Sequence, residues 1–327
     1  MTEQFREHIR AAAANKTALR IRGGGTKDWY GGRLEGEILD TRGHAGIVDY
    51  EPTELVITAR CGTPLVEIEA ALVERNQMLA FEPPHFGAGA TFGGAVAAGL
   101  SGPRRANSGA VRDFVLGAKL MDGTGEVLTF GGQVMKNVAG YDVSRLLAGS
   151  LGTLGLLLEV SVKVLPRAFA ESTLRFEMSE IEAIRKLNEW AGQPLPLSGS
   201  CWHDGVLALR LSGARAAVDA AVRSLGGQVM PEADAFWTTL REQRHAFFAQ
   251  GVGNEAPLWR LSVPSTTGAI VLGGPQLIEW GGAQRWLRAD AGAADSIRRT
   301  AAAAGGHATL FRGGDKGIGV FQPLAPA

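Results

Sequence analysis

The stretch RGGGTKDWYGG, residues 22–32, directly follows a short predicted strand and gives the first indication of the fold. Its three consecutive glycines, Gly23, Gly24 and Gly25, can turn successive backbone N–H groups toward one concavity, and such concavities typically bind phosphate. A flexible surface loop is the alternative for this motif taken alone. The residues after Thr26 do not begin a helix, so the stretch is not a Rossmann fingerprint, and the chain contains no P-loop motif.

A second Gly-rich stretch, TFGGAVAAGLSGPRR, spans residues 91–105. It predicts a short helix with Thr91 as its N-cap and with Gly93 and Gly94 in its first turn, where small residues let a ligand approach the backbone. The N-terminus of such a helix favours an anion. Close Gly/Ala helix packing is the alternative interpretation.

A third stretch, residues 136–166, places Gly149, Gly152 and Gly155 at a predicted turn between a short helix and a strand. Glycine is the compositional outlier of the chain, with 45 occurrences in 327 residues. Because glycine allows close approach of the backbone to another surface, three such stretches in one predicted domain indicate a backbone that wraps a ligand.

The length and charge of the chain limit the classes of protein to which it can belong. A chain of 327 residues predicts about two domains. Its 33 basic residues balance 33 acidic ones, whereas nucleic-acid binders usually carry a basic excess, so a polyanionic partner is not expected. The N-terminus lacks the apolar core of a signal peptide, and no run of about 18 apolar residues occurs. We therefore expect a cytoplasmic protein that reaches the inner membrane face only through partners.

The two cysteines, Cys61 and Cys201, are far apart in the sequence. They cannot hold an iron–sulfur cluster by themselves, and they argue against a disulfide framework. We expect both to be buried as small apolar residues. The six histidines show no spacing typical of metal ligands, so no metal site is expected.

The predicted elements change character near residue 170. The first part predicts a helix over residues 2–15, a helix over 64–76 capped by Thr63, a hairpin over 114–130, a helix capped by Asp142, and a strand over 156–166 that is buried on one side. The second part predicts an antiparallel sheet with helices on one face, two βαββ-type halves and one long helix over 233–250. The prediction is an α+β chain with domains at 1–168 and 169–327.

A resemblance supports this organisation. Taken in order, RGGGT, then PP with TFGGAVAAG, then GAVRDFVLGAKLMDGTGE, then GYD with GSLGTLGLLLEVSVKVLP resemble the FAD domain of the vanillyl-alcohol-oxidase/p-cresol-methylhydroxylase flavoprotein family. The stretches SGPRR, GGQVMKNVAGYDVSRL and FEPPHFG are more specifically similar to the E-subunit family of bacterial glycolate oxidases. The resemblance implies two small α+β subdomains that cradle FAD, followed by an antiparallel-sheet α+β cap domain.

The resemblance also implies roles for individual residues. The first glycine stretch holds the FAD diphosphate, the second lines the opposite wall, and further residues lie along the cofactor. Relatives with a covalently bound flavin often carry His at the position of Thr26, so non-covalent FAD is expected. The implied cofactor-binding residues are Arg22, Gly23, Gly24, Gly25 and Thr26 in the first stretch, Thr91, Gly93, Gly94 and Gly99 in the second, and Gly109, Val111, Gly152 and Gly155 beyond them.

The sequence departs from the catalytic relatives in two respects. Their His-rich H-x-G-x-G-N-x-H segment is missing, which leaves His85 as the better functional candidate and His307 as an isolated residue; catalytic residues are not identified. The chain also ends at FQPLAPA, before the C-terminal segment with which relatives return to the flavin domain.

Arg104, Arg105 and Lys136 are candidates for positive charge near the flavin, with solvated surface charge as the alternative, and Tyr141 with Asp142 is a candidate for ordering the adjacent loop.

Three functional hypotheses follow. The first is an FAD-binding subunit of a glycolate-type 2-hydroxy-acid dehydrogenase, in a hetero-oligomer with a catalytic flavin subunit and an iron–sulfur subunit that receives electrons. The second is a self-sufficient FAD-dependent 2-hydroxy-acid dehydrogenase. The third is an assembly subunit that has lost FAD.

Overall fold

The computed structural model describes residues 1–132, 142–249 and 256–323 of the chain. These residues fall into two units, of which the second takes in two short segments from the N-terminal half of the sequence. None of the described helices is long and apolar enough to span a membrane. Unit 1 comprises Met1–Asp28, Arg33–Gly102 and Gly109–Arg167, and unit 2 comprises Trp29–Gly32, Pro103–Ser108 and the chain from Ala168 onward.

Short elements dominate both units. The α-helices of the described residues are α1 (Thr2–Asn15), α2 (Leu65–Glu74), α3 (Phe92–Ala98), α4 (Arg105–Ser108), α5 (Val111–Phe114), α6 (Val143–Leu146), α7 (Glu180–Ala191), α8 (Arg215–Leu225), α9 (Ala233–Arg241), α10 (Ala246–Ala249) and α11 (Ala294–Ala303). The strands are β1 (Leu19–Arg22), β2 (Glu37–Asp40), β3 (Ile47–Glu51), β4 (Val56–Arg60), β5 (Gln77–Met78), β6 (Val115–Met121), β7 (Val127–Gly131), β8 (Leu156–Lys163), β9 (Leu165–Pro166), β10 (Ala170–Glu177), β11 (Leu197–His203), β12 (Val206–Gly213), β13 (Gln228–Val229), β14 (Leu258–Ser262), β15 (Gln276–Glu279), β16 (Gln284–Arg288) and β17 (His307–Arg312).

Unit 1 is organised around a five-stranded antiparallel sheet in the order β3-β4-β8-β6-β7. Strand β8 occupies its centre, and the consecutive residues Leu156, Leu157 and Leu158 are all buried. Because successive side chains of a strand point to opposite faces, both faces of β8 are covered. The prediction that this strand is buried on one side is therefore wrong. A parallel pair, β1 and β2, leads into the first glycine stretch.

Helix α2 begins one residue later than the sequence predicts. Its N-cap is Pro64, and the Thr63 hydroxyl does not cap it. That hydroxyl donates to the Arg60 carbonyl at 2.7 Å and accepts from the Gly46 amide at 2.9 Å, so it ties together the loop before the helix. The capping role predicted for Thr63 is wrong because tertiary partners already use its hydroxyl.

Unit 2 is built on an eight-stranded antiparallel sheet in the order β13-β10-β12-β11-β15-β16-β14-β17. One face is largely apolar, with Arg285 as a buried charged residue, and packs against helices. On this face Leu209 packs in a cluster with Leu187 of α7 and Val218 of α8, and Leu261 packs in a second cluster with Ile297 of α11. The alternation of β12 and β14 thus places their apolar side chains under three helices.

The opposite face of the same sheet carries buried polar side chains and is covered by α9. Trp237 of α9 donates its indole N–H to the Thr173 hydroxyl at 2.9 Å, and the Arg210 guanidinium lies 4.8 Å from the centre of the same ring. Helices therefore cover both faces, and the prediction of helices on one face is wrong. The buried polar residues of this face are Thr173, Arg210, Glu279, Gln284 and Thr309.

Two further predictions for unit 2 need correction. The long helix predicted over residues 233–250 is two helices, because the amides of Arg244 and His245 both donate to the Thr239 carbonyl and turn the chain between α9 and α10; Gln250 lies outside the described residues. The second half of the sheet also has the order β14-β15-β16-α11-β17, so a βαββ arrangement holds only for the half that begins with β10.

Candidate functional site

The first glycine stretch of unit 1 lies directly against the second. A Cβ atom on Gly24 would lie 1.5 Å from the Gly89 carbonyl oxygen, and one on Gly23 would lie 2.3 Å from the Thr91 hydroxyl oxygen. Real Cβ atoms do not approach other atoms so closely, so only glycine allows these two backbones to meet. Thr26 contributes to the same contact, because its side chain packs beside Gly87.

The amides of this first stretch are open. Gly23, Gly24 and Gly25 donate no backbone hydrogen bond to any part of the chain that the structure describes. Gly25 has a φ of 71°, which bends the stretch back on itself, and the Asp28 amide closes the turn on the Gly25 carbonyl at 3.1 Å. Since backbone N–H groups are rarely left without a partner, the open donors fit an anionic ligand.

The third glycine stretch meets the second through α3. Gly99 ends this helix with a φ of 65°, and a Cβ atom there would lie 2.7 Å from the Cα atom of Gly149. The Gly149 amide donates to the Val96 carbonyl at 3.0 Å. Gly152, with a φ of 78°, faces the Ile21 side chain of β1. The three stretches thus come together in unit 1, as the sequence analysis requires.

The N-terminus of α3 does not offer the open amides that the sequence predicts. The Phe92 amide donates to the Thr63 carbonyl and the Gly93 amide to the Cys61 carbonyl, both at 2.8 Å. The Gly94 amide donates to the Thr91 hydroxyl at 3.3 Å, so Thr91 is the N-cap that the sequence predicts. Close packing explains Gly93, because a Cβ atom there would lie 2.4 Å from the Cβ atom of Cys61.

The remaining predicted site residues occupy turns and the core of unit 1. Gly109 has a φ of 107° and precedes α5, and the Val111 amide donates to the Ser101 hydroxyl at 3.2 Å. The Val111 side chain itself is buried in the core. Gly155 has a φ of 138°, and a Cβ atom there would lie 2.6 Å from the Met121 carbonyl oxygen. Backbone geometry therefore explains both glycines.

An ion cluster that was not predicted from the sequence lies beside the first stretch. Arg20 Nη2 and Arg22 Nε both donate to Oδ2 of Asp28, each at 2.8 Å. The available signal was the pair of arginines two residues apart on β1, which places both on one face of the strand. Lys27 lies nearby, and its ammonium donates to the His85 carbonyl at 3.2 Å.

Arg104 and Arg105 belong to unit 2, where both charges are engaged. Arg104 is 8% exposed and donates to the Glu171 carboxylate at 2.6 Å and to the Ser212 hydroxyl at 3.0 Å. Burial is the largest single effect on Glu171 and raises its pKa, but the charge of Arg104, the hydrogen bonds from Ser212 and Arg104 and the charge of Arg210 together lower the pKa overall. The Arg105 guanidinium lies 4.4 Å from the centre of the Trp280 ring.

These contacts correct the idea that Arg104 is a solvated surface charge. They also give both arginines partners within unit 2; a position of their charge near the flavin stays a prediction. Lys136 and Tyr141, the other candidates for this region, lie outside the described residues. Asp142 caps α6 as the sequence predicts, because its carboxylate accepts from the Arg145 amide.

The titratable side chains form no metal site among residues 1–132, 142–249 and 256–323. His85 Nε2 lies 3.1 Å from the Glu69 carboxylate, and His307 is exposed at the start of β17. Both cysteines are buried and free, as predicted. Burial raises the pKa of the Cys61 thiol to about 12 and that of Cys201 well above its ordinary value.

The geometry fits the diphosphate of a dinucleotide. Unit 1 offers open amides at Gly23, Gly24 and Gly25, two arginines next to them, and backbone surfaces from which side chains are absent. Amides and guanidinium groups are the donors that proteins use for phosphate groups.

Comparison with known proteins shows which families the chain resembles. Residues 1–131 match the family described as FAD binding domain. The chain is 53% identical to glycolate oxidase subunit GlcE of Escherichia coli (strain K12), over 98% of this chain and 88% of that protein. It is 30% identical to glycolate oxidase subunit GlcD of Bacillus subtilis (strain 168), over 42% of this chain and 29% of that protein.

More distant relatives share the fold. The chain is 28% identical to a D-lactate dehydrogenase of Archaeoglobus fulgidus over 60% of its length, which is 44% of that enzyme. A solved structure of alkyldihydroxyacetonephosphate synthase superimposes with a TM-score of 0.64 and 14% sequence identity, over 93% of this chain and 69% of that one. At such low identity the likeness shows the fold alone.

Proposed function

The chain belongs to the family of glycolate oxidase GlcE subunits, and we propose that it serves as the FAD-binding subunit of a glycolate (2-hydroxy acid) oxidase complex. The observation that carries this proposal is the meeting of three glycine stretches around open amides in unit 1. Two of those stretches lie in the residues that match the FAD binding domain. FAD is the cofactor of this subunit.

FAD supplies the chemistry of accepting and passing on electrons, and the protein binds and orients it. The amides of Gly23, Gly24 and Gly25 hold the diphosphate, and Thr26 packs at the edge of the same loop. Thr91 keeps α3 in place against this loop. Thr26 stands where relatives with a covalent flavin often carry His and has no imidazole for attachment, which supports FAD bound without a covalent link.

The remaining site assignments form a proposal of the same kind. Gly93, Gly94 and Gly99 belong to the second wall of the cofactor site, and Gly93 and Gly99 are also required by their packing on Cys61 and Gly149. Gly109, Val111, Gly152 and Gly155 border it. We further propose that residues 1–168 act as the FAD-binding domain and residues 169–327 as the cap domain.

Electrons leave this chain through partners. An iron–sulfur cluster needs several cysteine thiolates, whereas the chain has two cysteines, and both are buried at separate places. We therefore assign the cluster to a separate subunit and hydroxy-acid oxidation to a second flavin subunit, of which the GlcD relative is an example by name. We place the complex in the cytoplasm, where it contacts the inner membrane only through its partners; cell fractionation tests this location.

The absorption spectrum of the purified chain tests the central proposal. We expect two flavin bands in the near-ultraviolet and visible range, and release of all FAD into the supernatant on acid precipitation. FAD that stays with the precipitated protein contradicts non-covalent binding. A colourless chain that takes up no added FAD would support the alternative of an assembly subunit.

The same sample distinguishes an FAD-binding subunit from a self-sufficient dehydrogenase. Under anaerobic conditions, glycolate or lactate should leave the flavin of the isolated chain oxidised, because the chain lacks the His-rich H-x-G-x-G-N-x-H segment of the catalytic relatives. Bleaching of the flavin by either acid would show that this chain oxidises substrate itself. Dithionite serves as the control that the bound flavin can be reduced.

A further inference from the structure

We propose that Arg20 and Arg22, gathered by Asp28, form the cationic part of the diphosphate site and that Asp28 is its positioning residue. The inference rests on the proposed function, because the diphosphate is that of FAD. It assigns a binding role to Arg20 and an orienting role to Asp28, neither of which follows from the glycine motif.

The three side chains share one oxygen atom. Arg20 Nη2 and Arg22 Nε each donate to Asp28 Oδ2 at 2.8 Å. The Asp28 amide is bound to the Gly25 carbonyl, so the carboxylate is fixed at the end of the turn that the glycines form. One acceptor therefore holds two long, flexible side chains beside the same loop.

The position of Arg22 explains why residue 25 is glycine. A Cβ atom on Gly25 would lie 2.1 Å from Arg22 Nη2 and 2.7 Å from Arg22 Nε. The guanidinium of Arg22 thus lies over the Cα atom of Gly25, against the loop whose amides are open. A side chain at residue 25 would displace the guanidinium as well as strain a backbone with a φ of 71°.

Both arginines have N–H donors that do not bind Asp28. Arg20 Nε is buried and has no hydrogen-bond partner among the residues that the structure describes. Each guanidinium carries five N–H groups, and Asp28 takes a single one from each arginine. Buried donors are normally satisfied, so an open one beside open amides points to an anionic ligand.

The balance of charges agrees with that ligand. Two guanidinium groups and one carboxylate leave a net charge of about +1 next to the loop, and arginine matches the geometry of phosphate oxygens. A purely structural cluster that joins β1 to the loop is the competing explanation. Substitution of Asp28 distinguishes the anion site from the structural cluster, because it makes the net charge beside the loop more positive and at the same time releases both guanidinium groups.

The test measures the affinity of the full-length apo chain for FAD from the change in flavin fluorescence. If only net charge mattered, Asp28→Asn would bind FAD more tightly than the wild type. If Asp28 positions the two arginines, Asp28→Asn should bind FAD roughly tenfold more weakly, and this is the result we expect. A similar loss of affinity is expected for Arg20→Met and Arg22→Met. The matched control is Glu126→Gln, which removes an exposed carboxylate from its pair with Arg10 elsewhere in unit 1 and should leave the affinity unchanged.

Two further measurements guard against misfolding and against an indirect effect. Riboflavin has no phosphate, so its binding should be equal in all variants if the flavin side of the site is intact. In an Arg22→Met background, the Asp28→Asn change should cost less affinity for FAD than in the wild type, because half of what Asp28 positions is already gone.

The possible results distinguish a failure of the proposed function from a failure of the proposed diphosphate site. A wild-type chain that takes up no FAD overturns the proposed function, and this inference falls with it. A wild type that binds FAD, with Asp28→Asn binding as tightly or more tightly, overturns only the role of Asp28. An unchanged affinity in Arg20→Met and Arg22→Met overturns the cationic site, and equal losses in both backgrounds overturn the link between Asp28 and Arg22.

Discussion

Gly24 and Gly89 meet backbone to backbone in unit 1, yet the contact is not symmetric. A Cβ atom on Gly24 would lie 1.5 Å from the Gly89 carbonyl oxygen, whereas one on Gly89 would find its nearest neighbour, the Gly24 carbonyl oxygen, at 3.4 Å. The first distance is impossible without movement of the main chain, and the second is an ordinary van der Waals contact. One contact between two glycines therefore demands glycine on one side only.

This asymmetry gives the first prediction. Gly24→Ala should destabilise the chain by roughly 1–3 kcal/mol, as overpacking does. It should also abolish high-affinity FAD binding, because the added methyl group moves the loop away from the Gly89 backbone. Gly89→Ala is the matched control and should change stability by less than about 0.5 kcal/mol. Urea denaturation and flavin fluorescence measure both. Equal effects of the two substitutions would show that the contact does not position the loop.

The second prediction concerns Trp29, which belongs to unit 2. Its ring lies 4.0 Å from the Arg312 guanidinium and 5.2 Å from the Phe311 ring. Trp29→Ala removes these contacts and should cost roughly 2–4 kcal/mol of unfolding free energy. Phe169→Ala is the control, because Phe169 is 84% exposed and its loss should be nearly neutral. Urea denaturation of the two variants decides; a stable Trp29→Ala chain contradicts the prediction.

Local elements of this fold can be predicted from the sequence because their signals are local. The hairpin at Asp204 and Gly205 has the turn chemistry that two-residue loops require, and Asp142 caps α6 through its own third-neighbour amide. Thr63 carries the same kind of capping signal and fails. Its hydroxyl has two partners in the loop before the helix, and one of them, Gly46, is distant in the sequence.

The candidate site shows the same division between local and distant information. The glycine stretches are visible as motifs, and the resemblance orders them around one cofactor. The residues they touch are not visible, because Gly89 and Gly149 become partners only when separate segments fold together. The amides of α3 are taken by distant carbonyls such as that of Cys61, and no pattern within the stretch could reveal this.

The third prediction concerns the two thiols. Burial raises the pKa of Cys61 to about 12 and raises that of Cys201 further above its ordinary value. Since the thiolate is the reactive form, neither cysteine should react with a thiol-specific disulfide reagent in the folded chain, even at about pH 9, where an exposed thiol is largely ionised. Both should react at once in guanidinium chloride. Absorbance of the released thiolate provides the count, and fast labelling of the folded chain would contradict the prediction.

The fourth prediction concerns the ion pair of Arg104 and Glu171 in unit 2. Arg104 is 8% exposed, and the Glu171 side chain is 34% exposed. A fully buried pair that loses one partner costs about 3–5 kcal/mol, and an exposed pair about 0–1 kcal/mol. Because solvent screens Glu171 in part, Glu171→Gln should cost roughly 1–3 kcal/mol at neutral pH. Glu189→Gln, which removes an exposed carboxylate of α7 from its pair with Arg185, should cost less than about 0.5 kcal/mol.

The difference in unfolding free energy between the wild type and Glu171→Gln depends on pH, and the direction in which folding shifts the pKa of Glu171 determines how. Burial, the largest single effect, raises the pKa of Glu171, but the charge and hydrogen bond of Arg104 together with Ser212 and Arg210 lower it overall in the folded chain, so the folded state binds the proton less readily than the unfolded state. The stability that the pair contributes is therefore complete above the unfolded pKa of about 4.3 and is lost as the pH falls through the lower folded value. Urea denaturation of the wild type and of Glu171→Gln from about pH 7 to pH 3 measures the gap in unfolding free energy, which should be constant down to about pH 5 and then close. A gap that stays constant to pH 3 would mean that folding does not change the pKa of Glu171, and a gap that widens would mean that folding raises this pKa.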